Sequence, residues 1–490
     1  MTRTASDLNG CLLARFRGPS APEWLLSWLD DGLAGVVLFA ENITGAEQTR
    51  SLVGELRAHN SRAIVAVDEE GGIVTRLEAA AGSSFPGNAA LGAIDDTDQT
   101  RRAGREIGAM LADRGLSLDL APVADTTANP DNPVIGVRSF GADADRVAAH
   151  TAAFITGVQS QGVAACAKHF PGHGRTGSDS HLELPSVPAS LAELAATDLV
   201  PFRAAIAAGV RTIMTAHVRF PAVDDKPATL SRRWLTDVLR GDLGFDGVII
   251  TDALDMAAIG DSAESATGAV GALTAGADLL CLSRDQAAQE RAVAGLEAAV
   301  ADGTVSRDRV GEAAERVRAL ADWACPAAGP DRDRGLGPRL ARRSLVISET
   351  AAALPAPAYV LDAGGRMSTQ LEDSAAGLLG LLADRMPGTD GVRLAAPADG
   401  AGLTGLDGWL AAAAGRPLVV VVRDAHRHSW QRELLGRTLA ARPDAMVVGT
   451  GTADDRALAG PAYLGTLGAS RVSLTAAADL LAGLNTMLTT

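Results

Sequence analysis

Residues Gly247–Leu254 read GVIITDAL. A short, almost continuously apolar run closed by a carboxylate is the pattern of a parallel strand buried on both faces and opening into a loop at its carboxyl end. Six further runs share this form: Gly35–Ala40 (GVVLFA), Ala63–Glu69 (AIVAVDE), Ser117–Asp125 (SLDLAPVAD), Val163–Phe170 (VAACAKHF), Thr212–Val218 (TIMTAHV) and Asp278–Ser283 (DLLCLS). Amphipathic stretches lie between them. Asp96–Arg114 opens on an acidic cap and places Ala103, Ile107, Met110 and Leu111 on one stripe. Asp143–Gln161, Leu191–Ala208, Glu264–Gly276 and Arg307–Trp323 read as helices as well. Repeated strand–helix units specify a parallel α/β architecture. Seven strands are legible and an eighth is indistinct, so the expected fold is a (β/α)8 TIM-like barrel, with a doubly wound open sheet as the alternative.

The strand ends favour the barrel. Asp68, Asp125, Lys168 with His169, His217, Asp252, and Ser283 with Arg284 stand at the carboxyl ends of six of the seven runs. In a barrel those ends converge on one face, where such folds build their sites. In an open sheet only strands beside the switch point would share a crevice.

A composition break follows the helix at Arg307–Trp323. Pro326–Arg339 (PAAGPDRDRGLGPR) is rich in Pro, Gly and Arg, as linkers are. Beyond it, Tyr359–Ala363, Pro417–Asp424, Ala445–Thr450 and Arg471–Leu474 read as strands separated by Ala- and Leu-rich helices. The expected organisation is a barrel over residues 1–325, a linker over 326–340 and a smaller C-terminal α/β sandwich domain over 341–490.

Composition narrows the function. The 490 residues are 47% hydrophobic and 21% charged, enough apolar matter for a core and too little charge for a disordered chain. The net charge of −15, with no run of Lys or Arg, argues against nucleic-acid binding. The four cysteines, Cys11, Cys166, Cys281 and Cys325, have no C-x-x-C spacing, which excludes zinc knuckles and redox motifs and argues against a disulfide framework. The N-terminus has no apolar signal region, and no stretch reaches the roughly 20 apolar residues of a membrane span. A soluble cytoplasmic protein is expected.

The densest chemistry is Lys168–His181, KHFPGHGRTGSDSH. His169 and His173 are four apart, but Pro171 and Gly172 between them exclude a helical metal pair; a loop metal site completed by Asp179 stays open. Gly172, Gly174 and Gly177 suit a mobile flap over the barrel mouth. Asp179 and His181 are two apart, so an extended loop puts them on one side. The carboxylate can then fix the imidazole tautomer and raise its basicity, as general acid/base catalysis requires. Asp252, rigid at a strand end, suits a nucleophile or base, and equally a helix N-cap. Asp255, three residues on, caps or faces the following helix. In Val67–Arg76, VDEEGGIVTR, Asp68 can accept two adjacent sugar hydroxyls or cap a helix. The GxG fragments carry no nucleotide signal.

KHFPGHG followed by DSH, with DEEGG upstream, NPVIGVRSFG at Asn132–Gly141, MTAHVRFP at Met214–Pro221 and TDALDM downstream, resembles glycoside hydrolase family 3. Within it the chain looks like the β-N-acetylglucosaminidases of the NagZ type, in a two-domain form, over residues 30 to 320. The DSH segment discriminates, because β-glucosidases of the family usually take their acid from elsewhere. The resemblance implies Asp252 as nucleophile, His181 as general acid/base and Asp179 as its dyad partner. It implies Asp68, Arg138, Lys168 and His169 as sugar-hydroxyl and N-acetyl contacts, His217 as a pocket residue and Arg76 as a further contact. The partner is a small glycan with a terminal β-GlcNAc, no metal or organic cofactor is implied, and phosphate enters as an alternative acceptor to water. Glu69 stands where the family often has Gln, Ile73 where Arg is frequent, Arg175 where Asp is common, and Thr251 and Ala253 where Ser and Asp are frequent. These departures bear on aglycone preference. A β-glucosidase or mixed-specificity glycosidase is the rival among enzymes, and a non-catalytic sugar-binding protein the rival outside them. Arg423–Gln431 (RDAHRHSWQ) either reaches the barrel mouth or forms a surface loop.

Overall fold

The computed structural model describes residues 7–180, 183–256, 265–327, 332–365, 377–397 and 403–484. The chain divides into two compact units. The first comprises residues 1–70, 97–135 and 141–333; the second comprises 71–96, 136–140 and 334–490.

The first unit is built on eight strands: β1 (Leu12–Ala14), β2 (Gly35–Leu38), β3 (Ile64–Val67), β4 (Leu118–Asp119), β5 (Ala164–Phe170), β6 (Thr212–Thr215), β7 (Val248–Ile250) and β8 (Leu280–Cys281). All pair in parallel, in the order β8-β1-β2-β3-β4-β5-β6-β7. A parallel bridge between Ile250 and Leu279 joins the two outer strands and closes the ring. The indistinct eighth strand is β1, whose three buried residues lie within CLLARF. Three residues are too few to show a period, and Arg15 follows at once.

The strands are short because both faces are covered. Leu13, Val37, Ile64, Leu118, Cys166 and Ile250 belong to one buried cluster that also takes Val317 and Leu320 from the helix Arg307–Trp323. That helix starts at Ser306, whose side chain accepts from the Arg309 N–H, and helix Ala144–Gln159 starts in the same way on Asp143. The single helix expected over Leu191–Ala208 is two, Leu191–Ala196 and Val200–Ala207. Pro201 has no N–H to continue the first. Thr197 and Asp198 between them are turned to Arg175, which donates to Asp198 Oδ2 at 2.7 Å and to Thr197 Oγ1 at 2.8 Å.

The second unit holds a six-stranded sheet: β9 (Val346–Ile347), β10 (Tyr359–Asp362), β11 (Asp390–Arg393), β12 (Leu418–Val422), β13 (Met446–Gly449) and β14 (Tyr463–Gly465). The order is β9-β14-β13-β12-β10-β11, parallel except for β9 against β14. Arg471–Leu474, read from its sequence as a strand, instead opens the helix Arg471–Leu481. Ser470 caps that helix by accepting from the Ser473 N–H, and the Ala-rich continuation favours helix. Arg423–Gln431 turns from β12 into the helix Ser429–Ala441, with Gln431 Oε1 accepting from the Arg423 N–H at 2.9 Å. Among the described residues, no helix is long and apolar enough to cross a membrane.

Candidate active site

Parallel closure brings the polar strand ends to one rim. Lys168 lies within β5 with its side chain only 2% exposed, and its Nζ sits 2.7 Å from Asp68 Oδ1 and 2.8 Å from Glu70 Oε1. A buried ammonium is tolerated only with such partners. Asp68 and Glu70 follow β3 two residues apart, a spacing that turns both to the same side. Glu70 did not stand out in the sequence, although DEE held that signal.

Next to this pair sits a second acidic group. Asp119 ends β4, is fully buried and accepts from the Glu69 N–H at 3.1 Å, while its other oxygen finds no hydrogen-bond partner. Burial first, and the Glu69 carboxylate second, push its pKa well above the usual range. Glu69, where Gln is frequent in the family, is one cause of that shift.

Asp125 is buried and holds two histidines. Its Oδ2 lies 2.8 Å from His169 Nδ1 and accepts from the His169 N–H at 3.1 Å, while Oδ1 accepts from the His173 N–H at 2.6 Å. Burial opposes its charge, but the His169 hydrogen bond and the two nearby imidazoles prevail and lower its pKa. His169 Nε2 is thereby oriented by a carboxylate on the other ring nitrogen, and the two rings pack edge to face at 5.9 Å.

His173 is buried, with Nε2 at 2.9 Å from Ser180 Oγ and Nδ1 at 3.1 Å from Thr176 Oγ1. Asn132 braces the same turn by donating to the carbonyls of His173 and Thr176. The glycines of this segment were expected to provide mobility. At Gly174, however, a Cβ would lie 1.6 Å from the Thr126 carbonyl oxygen, and at Gly172 it would meet the Asp198 side chain at 3.0 Å. Glycine is required there for close packing. Asp179 is half-buried, and its carbonyl accepts from the Glu183 N–H at 3.1 Å. His181 lies outside the described residues.

Burial, reinforced by His169, lowers the His173 pKa to about 4 from its ordinary 6.5. The unfolded chain then binds a proton that the folded chain refuses. Stability is complete above pH 6.5 and declines as pH falls toward 4, by about 3 kcal/mol for this group. Urea unfolding of the wild type and His173→Gln between pH 7 and 4.5 should show a pH slope smaller by about one proton in the variant. Equal slopes would show that His173 is not held neutral.

Asp252 follows β7, half-buried, with Oδ1 accepting from the Ala253 N–H at 2.7 Å. Its neighbours are pinned. Thr251 Oγ1 accepts from the Cys281 N–H at 2.9 Å, which ties the strand end to β8. His217 Nε2 donates to the Ala253 carbonyl at 3.0 Å, while Nδ1 lies 2.8 Å from Thr229 Oγ1. His217 is fully buried. Asp255 pairs with Arg15 Nη1 at 3.1 Å and accepts from Ser283 Oγ at 3.3 Å, and the helix expected to follow it falls on residues 257–264, outside the described residues. Arg15 in turn lies over the Phe39 ring. Arg76 and Arg138 both belong to the second unit. Arg138 ends the turn Gly136–Arg138, and its carbonyl accepts from Asn88 Nδ2 at 2.7 Å. Among the described residues, no group of three His, Cys, Asp or Glu side chains is arranged to hold a metal ion.

Residues 21–320 match the glycosyl hydrolase family 3 N terminal domain. The chain belongs to glycoside hydrolase family 3. It is 40% identical over 269 residues to a β-hexosaminidase of Pseudomonas aeruginosa, covering 54% of this chain and 79% of the relative. It is 43% identical over 239 residues to a β-hexosaminidase of Stenotrophomonas maltophilia, covering 47% and 70% respectively. The solved structure of a family 3 β-N-acetylglucosaminidase from Paenibacillus sp. superposes with a TM-score of 0.88 at 32% identity, over 99% of this chain and 98% of that one. A barrel joined to a second α/β unit is thus the architecture of a family 3 glycoside hydrolase, and this chain is such an enzyme.

Proposed function

We propose that the protein is a retaining exo-β-N-acetylglucosaminidase that releases terminal β-GlcNAc from small cell-wall or chitin fragments. The observation that carries this reading is the seat of Asp252. A half-buried carboxylate at a barrel strand end, fixed through Ala253 by a buried histidine, is preorganised to attack a sugar carbon. The β-hexosaminidase relatives supply the sugar class. Asp252 displaces the aglycone and forms a glycosyl ester; water then cleaves that ester, and the second inversion restores the starting configuration. Asp179 and His181 act as the acid/base dyad, with His181 protonating the leaving oxygen and then deprotonating the acceptor. Asp68, Lys168 and His169 bind the sugar, with Arg138 and Arg76 as further contacts. His217 serves by positioning Asp252.

A histidine acid carries no negative charge to repel an anionic acceptor, so phosphate competes with water. The test is a panel of aryl glycosides, with and without phosphate. Aryl β-GlcNAc is expected to be cleaved far faster than aryl β-glucoside, with GlcNAc 1-phosphate formed in phosphate buffer. Release of free GlcNAc alone would remove phosphorolysis; preference for glucoside would favour a β-glucosidase. His181→Ala should lose roughly 10²–10⁴-fold with a natural aglycone and much less with an activated aryl group. Equal losses on both would deny His181 the acid role.

A further inference from the structure

The second unit contains an open crevice of about 610 Å³, its solvent-open mouth included, that the sugar-cleaving reading does not use. It lies at the carboxyl ends of the parallel strands. Asp362 ends β10, Arg393 ends β11, Arg423 follows β12 and Thr450 follows β13, and all four line it. In this sheet β11 lies on one side of β10, while β12, β13 and β14 follow on the other. The chain therefore reverses direction across the sheet between β10 and β12. At such a switch point successive connections diverge to opposite faces, and the gap they leave is where doubly wound sheets bind ligands.

The lining has a definite chemistry. Arg423 is 6% exposed, and its Nε lies 3.4 Å from Thr450 Oγ1. Arg393 and Asp362 both come against Gly377, where a Cβ would lie 2.7 Å from Arg393 Nη2 and 2.9 Å from Asp362 Oδ2. At Gly364 a Cβ would lie 3.3 Å from Asp362 Oδ1 and 3.4 Å from Thr450 Oγ1. Glycine lets the backbone approach these polar groups and adds no side chain to the wall. The helix Leu378–Arg385 begins at the same rim with Gly377, which has no side chain, as its N-cap. Among the described residues two guanidiniums and one carboxylate line it, and guanidinium forks match the oxygens of phosphate or carboxylate.

We propose that this crevice binds a small hydroxylated oxyanion, with its phosphate or carboxylate on Arg393 and Arg423 and a hydroxyl on Asp362. Isothermal titration of the full chain with glucose 6-phosphate, glucuronate and inorganic phosphate tests it. Saturable binding of one or both hydroxylated anions is expected, tighter than that of phosphate, and the stronger of the two identifies the oxyanion. Arg393→Gln, at an exposed position with little bearing on folding, should weaken it roughly tenfold or more. Absence of saturable heat with all three probes at millimolar concentration overturns the proposal. So does binding that Arg393→Gln leaves unchanged.

Discussion

Replacing Asp252 by Asn is expected to lower turnover of an aryl β-GlcNAc on the order of 10⁴–10⁶-fold, the scale of losing a covalent nucleophile, while the protein still folds. Asn matches the carboxylate in shape, and its amide oxygen can still accept from the Ala253 N–H that Asp252 Oδ1 takes at 2.7 Å. The brace from His217 to the Ala253 carbonyl does not involve the altered atom. The carboxamide cannot form the glycosyl ester, so the loss falls on kcat with little change in unfolding midpoint. A 2-fluoro sugar that labels the wild type should fail to label the variant. Retention of a tenth of the wild-type rate would move the nucleophile elsewhere.

The barrel was readable because its strands repeat one physical signature, an apolar run that stops at a polar group. GVIITDAL, VAACAKHF and TIMTAHV carry that signature in full, and they became β7, β5 and β6. Leu12–Ala14 does not, since three residues inside a ring of strands need no periodicity of their own. The helix expected at Leu191–Ala208 was divided by side-chain contacts of Thr197 and Asp198 with a distant arginine, which no local pattern contains. Arg471–Leu474 looked strand-like from four residues, whereas the decisive ones were Ser470 before it and the alanines after it. In the candidate site, the polar residues at the barrel strand ends were legible in the sequence. The pairings that hold them were not: Asp125 on two histidines, Glu70 on Lys168 and Arg15 on Asp255 join segments far apart in the chain. The glycines near His173 were legible as glycines but not as packing positions, because the atoms they admit come from Thr126 and Asp198.

The largest effect on stability is expected at the opposite end of the barrel. Asp278 stands at the start of the same DLLCLS run whose far end carries Ser283, and it is fully buried. Its Oδ1 takes Arg309 Nη2 at 2.7 Å and Arg316 Nη1 at 3.2 Å, and its Oδ2 takes Arg240 Nη2 and the Ile249 N–H at 3.0 Å. Arg240 and Arg309 are themselves only 15% and 17% exposed. Asp278→Ala would leave two nearly buried guanidiniums and a backbone donor of β7 without their acceptor, a loss of about 3–5 kcal/mol. Asp278→Asn keeps an acceptor for Ile249 while removing the charge, so it should fall between. Urea unfolding measures both. The barrel's amino-terminal face serves stability and its carboxyl-terminal face serves chemistry, so kcat of the folded fraction should stay near wild type in both variants. A loss below about 1 kcal/mol would mean that water screens these arginines as it does surface pairs. An equally stable variant with impaired kcat would contradict the division of labour between the two ends.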